Sequence, residues 1–343
     1  MLERRDMLTT AMFKHTLFLL GLLAFAMLTC NSSLPTPPQG FETAASTLIP
    51  TSTSIPPTGT SVQYPPVLSR PPVLGTVVQN LTYCTNGVPL KMDLYFPTSG
   101  AAPWSTVVYV HGGGWVGGDK TTPHAVDDIK ALQANGYIVA AVDYRLAPRY
   151  PFPDMIVDVK CAVRFLRAHA VEFQLDPEYI GAWGNSAGGH IVSLLGLAHK
   201  SAGWDTGQYI EQSSDVQAVV DMFGPADLLH VSGEIQGEKR TYTLFGNVEP
   251  NKSMLASASP VTFVSPGDPP FLIIHGEKDS VISPQQSILF YQRLILFNVP
   301  AKLILVANAG HGLSPVGGEI DPSSEQVTQI MITFFDTYLK VTP

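Results

Sequence analysis

Ile180-Gly181-Ala182-Trp183-Gly184-Asn185-Ser186-Ala187-Gly188-Gly189 runs from an apolar stretch through a serine flanked by glycines, and Ile191, Leu194 and Leu195 follow at helical spacing. Strand, sharp turn and helix in that order form the context in which a serine hydroxyl is lifted above a sheet. With no side chain at Gly184 or Gly188, strand and helix can approach closely, and Ser186 is expected in a strained backbone conformation. The N–H of Ala187, in the first turn of the helix, then faces the place where negative charge would develop. Ser186 is the expected nucleophile. A glycine-rich turn with an incidental serine fits the same short pattern, so the surrounding chain has to decide.

Apolar runs at 106–110, 137–142, 180–183, 218–222, 271–274 and 303–306 read as buried strands. They alternate with helical patterns, as in a mostly parallel sheet covered on both faces. The clearest helix starts near Pro153 and carries Met155, Val159, Ala162, Leu166, Ala170 and Phe173 on one face. Asp154 and Asp158 fall early in it and Arg164 and Arg167 late, as the helix dipole favours. A last helix over 323–339 spaces Val327, Ile330, Phe334 and Tyr338 in the same way and is expected to close the sheet edge. The span 201–214 reads as a loop insertion.

The strand at 106–110 runs into His111-Gly112-Gly113-Gly114-Trp115. Consecutive glycines let backbone N–H groups turn toward a ligand unobstructed, which a tetrahedral oxyanion requires, so Gly113 and Gly114 are the expected donors with Ala187. His111 is expected to brace this loop. Trp115 either walls the substrate pocket or packs on the domain. After the strand at 271–274 comes His275-Gly276-Glu277-Lys278-Asp279, and after the strand at 303–306 comes Ala309-Gly310-His311-Gly312. Acid after one late strand and histidine after the next suit a serine placed on an earlier strand. His311 is the expected base and Asp279 its orienting acid, with Glu277 the rival and Asp227 a lesser one. His124, His190 and His275 are weaker candidates for the base.

Two further segments read as scaffolding. Asp143-Tyr144-Arg145-Leu146-Ala147-Pro148 is expected to fix its loop through an arginine–aspartate network, and Gly224-Pro225-Ala226-Asp227 to shape the pocket floor.

The 343 residues carry a net charge of −8 and no basic block, which argues against a nucleic-acid partner. Nothing in the sequence calls for a metal or a cofactor. Arg4, Arg5 and Lys14 precede an apolar run over 16–28 that ends near Cys30, so residues 1–30 read as an export signal. Met27-Leu28-Thr29-Cys30 loosely resembles a lipoprotein signal, which would make Cys30 a membrane tether; a secreted form or an uncleaved anchor are the alternatives. Residues 31–72, rich in Ser, Thr and Pro, read as a disordered tether, and 73–343 as one catalytic domain. Cys84 and Cys161 could pair in an oxidising compartment, or Cys161 could be a buried free thiol.

With these motifs in place, the region from about Val77 to Lys340 resembles the α/β-hydrolase superfamily. It is most similar to bacterial secreted carboxylesterases of the feruloyl and acetylxylan esterase-like (BD-FAE-like) group. The resemblance rests on the His-Gly-Gly-Gly-Trp loop, Tyr144-Arg145-Leu146, the serine turn and the Asp279 and His311 loops, in that order. It implies an α/β-hydrolase fold without a large cap domain, and an open site for short-chain or plant-polysaccharide-type esters, small-molecule or glycan. A formamidase or amidase shares the pattern, and a non-catalytic surface binding protein on the same fold is a further alternative.

Overall fold

The computed structural model describes residues 64–231 and 235–340. The expected signal, Cys30 and most of the tether lie outside the described residues. The core is an eight-stranded sheet in the order β1-β2-β4-β3-β5-β6-β7-β8. Its strands are β1 (Val77–Thr85), β2 (Pro89–Tyr95), β3 (Trp104–Val110), β4 (Ile138–Val142), β5 (Leu175–Asn185), β6 (Ala218–Met222), β7 (Phe271–Gly276) and β8 (Ala301–Val306). From β4 to β8 all neighbours pair in parallel, while β1, β2 and β4 pair antiparallel. All six expected strands are present, and the β1–β2 hairpin is an addition. Its exposed positions interrupt the apolar run that marks a strand buried on both faces.

The two-residue period of the strands divides the core into two layers. Val108, Val110, Ala182, Val219 and Ile273 face the helices α2 (Asp154–Ala168), α4 (Ala187–Leu197) and α7 (Gln285–Leu296). Val107, Tyr109, Trp183, Val220 and Leu272 face α1 (Val126–Ala134) and α8 (Ser324–Leu339). Short helices α3 (Ala170–Phe173), α5 (Ile235–Leu244) and α6 (Lys252–Ser257) complete the set. Among the described residues no segment forms a separate cap domain.

Several expectations need correction. The long helix expected from Pro153 breaks at His169, where φ −108° and ψ 20° leave the helical region, and Ala170 and Phe173 belong to α3. Its charged residues serve tertiary contacts. Asp158 is fully buried against Arg145, while Lys160 and Arg164 each lie 3.0 Å from Asp205 and bolt the 201–214 insertion to α2. The last helix covers the middle of one sheet face, against β5 and β6, rather than the edge, which β8 forms. Its buried stripe is Val327, Met331, Ile332, Phe335 and Leu339, rotated from the expected one, with Ile330 and Phe334 partly buried against the same layer.

Cys84 on β1 and Cys161 on α2 form a disulfide with a Cα–Cα distance of 6.4 Å, so the free-thiol alternative falls. The bond ties the edge hairpin to the helix layer. Ahead of β1, the N–H groups of Val67 and Leu68 donate to the Glu172 carboxylate. Tyr64 also packs there, on the His169 and Tyr209 rings.

Candidate active site

Parallel strands deliver their C-terminal ends to one edge, and the loops leaving β3, β5, β7 and β8 meet there. At the end of β5, Ser186 has φ 54° and ψ −120°, a conformation L-residues rarely adopt. Its surroundings hold it in place. The Ser186 N–H donates to Met222 O at 2.8 Å and the His190 N–H donates to Ser186 O at 3.1 Å. A Cβ added to Gly184 would collide with the Gly188 backbone, and one added to Gly188 with the end of β3. The strained turn thus depends on both glycines, as the sequence suggests.

The Ser186 hydroxyl reaches His311 Nε2 at 3.0 Å, and His311 Nδ1 reaches Asp279 Oδ2 at 2.7 Å. Three residues 125 and 32 positions apart therefore form one chain of hydrogen bonds. Asp279 Oδ1 is occupied by the N–H groups of Val281 and Ile282, at 2.8 and 2.9 Å. Burial alone would raise the Asp279 pKa, but hydrogen bonds from His275, His311 and Ile282 outweigh it and hold the carboxyl well below the usual carboxylate range. Asp279 is thus an anion at neutral pH, and its charge favours Nδ1–H on His311. That leaves Nε2 as an acceptor for the serine proton.

Glu277, the rival acid, is exposed and makes no bond to His311 among the described residues. Asp227 caps the short helical turn after β6 through the Leu229 N–H and pairs with His230 at 2.6 Å. Among the described residues the carboxylate bonded to His311 is that of Asp279.

The glycine loop after β3 lies against the elbow. A Cβ added to Gly112 would lie 3.3 Å from Ser186 Cβ. Gly113 and Gly114 have φ values of 119° and 61°, which favour glycine. His111 is buried and braces the loop: its Nδ1 donates to Gly112 O at 2.7 Å, and its ring stacks on Tyr144 at 4.3 Å. Tyr144 Oη donates to His111 O at 3.0 Å. Burial, only partly offset by the Gly112 carbonyl, lowers the His111 pKa and keeps it neutral. The Asp143-to-Pro148 segment is anchored as expected, with Arg145 on Asp158 and Asp154.

Trp115 is 4% exposed, and its indole N–H donates to His190 Nδ1 at 3.2 Å. His190 Nε2 donates in turn to Ala258 O at 2.7 Å, and burial pushes the His190 pKa down to about 4. These contacts pack Trp115 on the domain.

Sequence reasoning missed two residues at the site. His275, fully buried, donates through Nε2 to Ile282 O at 3.0 Å and lies 3.2 Å from Asp279 Oδ2, while its Nδ1 accepts from Ser287 Oγ at 2.7 Å. Its position four residues before Asp279 was the available signal. Phe223, with φ 46°, stands edge-on to the His311 ring at 5.0 Å and buttresses it. Nothing in the sequence marks that contact.

The chain is similar to several known proteins. Esterase LipC of Mycobacterium tuberculosis is 31% identical over 225 residues, covering 63% of this chain and 55% of that protein. The chain spans about half the length of the curated relatives it matches. A truncated carbohydrate esterase from gut microbiota superposes with a TM-score of 0.66 at 26% identity, covering 78% of this chain and 98% of the other. A thermophilic esterase of Thermogutta terrifontis, bound to propionate, shares the fold at a TM-score of 0.63 and 24% identity, covering 79% of this chain and 97% of that one. The family model BD-FAE matches residues 92–294, which hold the glycine loop, the serine elbow and Asp279. The chain, an α/β hydrolase by fold, belongs to the BD-FAE family.

Proposed function

We propose that the protein is an exported serine carboxylesterase acting on short-chain or plant-polysaccharide-type carboxylic esters. The observation that carries this reading is the continuous hydrogen-bond chain from Ser186 Oγ through His311 to Asp279. His311 Nε2 takes the hydroxyl proton as Oγ attacks the ester carbonyl. The tetrahedral oxyanion is met by the N–H groups of Gly113, Gly114 and Ala187. None of the three is bonded to another described residue; Ala187, as first residue of α4, has no partner within its helix. His311 then returns the proton to the leaving alcohol, and water releases the acyl group from Ser186 by the same route. Trp115, through its packing on His190, holds the loop that carries two of the donors.

Export is supported by the Cys84–Cys161 disulfide, since such bonds persist in oxidising compartments. The polysaccharide reading is supported by likeness to a protein described as a carbohydrate esterase. The test is hydrolysis of p-nitrophenyl acetate and butyrate, acetylated xylan and feruloyl esters by wild type and Ser186→Ala. Turnover by wild type alone supports the reading; equal rates in both would overturn it. Mass spectrometry of the mature N-terminus tests whether Cys30 is lipidated.

A further inference from the structure

The glycine loop touches two very different groups. Gly112 abuts Ser186, whereas a Cβ added to Gly114 would lie 3.1 Å from Arg240 Cζ and nearer still to Nη1. The guanidinium of Arg240, on α5, therefore rests on the Gly114 backbone in the space a side chain would fill. The Cα atoms of Gly112 and Gly114 can be at most about 7 Å apart, which with the two contacts puts Arg240 Cζ no more than about 17 Å from Ser186 Cβ, against the backbone of a residue proposed as an oxyanion donor.

Arg240 is half-buried, and among the described residues it has no carboxylate, carbonyl or ring partner. Every other described arginine that is not exposed has one. Arg145 holds Asp158, Arg164 holds Asp205, Arg167 donates to Ser213 O and Arg293 lies over the Phe297 ring. A partly desolvated guanidinium left without a counter-charge is unfavourable, and its planar fork of donors suits a carboxylate. Position and the want of a partner among the described residues point the same way.

We infer that the esters taken at Ser186 bear a carboxylate on the acyl or the alcohol side, and that Arg240 is the residue that binds it. The inference rests on the esterase reading. It assigns to α5 a role in substrate choice and gives a second reason for glycine at position 114, where any side chain would displace the guanidinium.

The test compares kcat/KM, measured by pH-stat titration on the full chain, for two matched pairs of substrates. Monomethyl adipate against methyl pentanoate places the carboxylate on the acyl side; 3-acetoxybenzoate against phenyl acetate places it on the alcohol side. In one of the pairs the anionic-to-neutral ratio should fall about 10- to 100-fold in R240Q, with R240K between the two, as expected for loss of a charge-assisted pair. The pair that responds identifies the side. The same ratio should shrink in wild type at high salt, because part of the attraction is screened. Ratios unchanged by R240Q in both pairs would overturn the proposal. Absence of Ser186-dependent turnover of all four esters would instead overturn the esterase reading.

Discussion

Replacing Asp279 by Asn is the most informative single change, because the surrounding bonds dictate which way the amide must turn. Oδ1 of Asp279 accepts two backbone N–H groups, from Val281 and Ile282. An amide can preserve both only by keeping its oxygen there, which aims its NH2 at His311 Nδ1. Nδ1 must then accept, the proton moves to Nε2, and Nε2 can no longer take the proton of Ser186, 3.0 Å away. The same NH2 would face the Nε2–H of His275, now 3.2 Å from the carboxylate, so no second acceptor is gained. A wrong tautomer of this kind lowers turnover by about 10⁴-fold, or about 5.5 kcal/mol of transition-state stabilisation. The assay is kcat/KM toward p-nitrophenyl acetate for wild type, D279N and E277Q, with circular dichroism confirming the fold. A loss below tenfold in D279N, or a larger loss in E277Q, would refute the argument.

Other outcomes follow from the same contacts. The Asp279 pKa is lower in the folded protein than in the unfolded chain, so the carboxylate contributes stability above the unfolded value, near pH 4, and that contribution is lost as pH falls toward the folded value. The difference in urea midpoint between wild type and D279N should narrow steadily below about pH 4; a gap constant to the acid limit would contradict this. The Cys84–Cys161 bond closes a span of 77 residues, for which loop entropy gives at most about 4.5 kcal/mol. Reduction should lower the denaturation midpoint accordingly, and a midpoint unmoved by reductant would show the bond to be unimportant. Asp158→Ala leaves Arg145 partly buried without its main partner and should cost about 3–5 kcal/mol by chemical denaturation. A cost below about 1 kcal/mol, the level of a surface pair, would show that the Arg145 network is not structural.

The parallel core and the catalytic constellation were legible because each left a local mark. Strands buried on both faces write continuous apolar runs, as at 106–110 and 271–274, and the serine elbow requires glycines at fixed offsets. Asp279 and His311 were found by their place after successive strands. What escaped was decided between distant segments. The edge hairpin is half exposed, so Val77–Thr85 carries no continuous apolar signal. The break at His169 and the displaced stripe of α8 are set by what those helices meet. His275 looked like a strand-end residue, and its hold on Asp279 emerges only when the loop folds back. Phe223 against His311 is a tertiary fact with no local signature, and the choice between the two alternatives for Cys84 and Cys161 is settled across 77 residues.

The central claim is that Ser186 is made nucleophilic by His311, and covalent trapping tests it most directly. Incubation with a fluorophosphonate followed by peptide mass spectrometry should place one adduct on Ser186 in wild type. The adduct should form far more slowly in His311→Ala and be absent in Ser186→Ala. An unmodified Ser186, or equal labelling with and without the imidazole, would contradict the account.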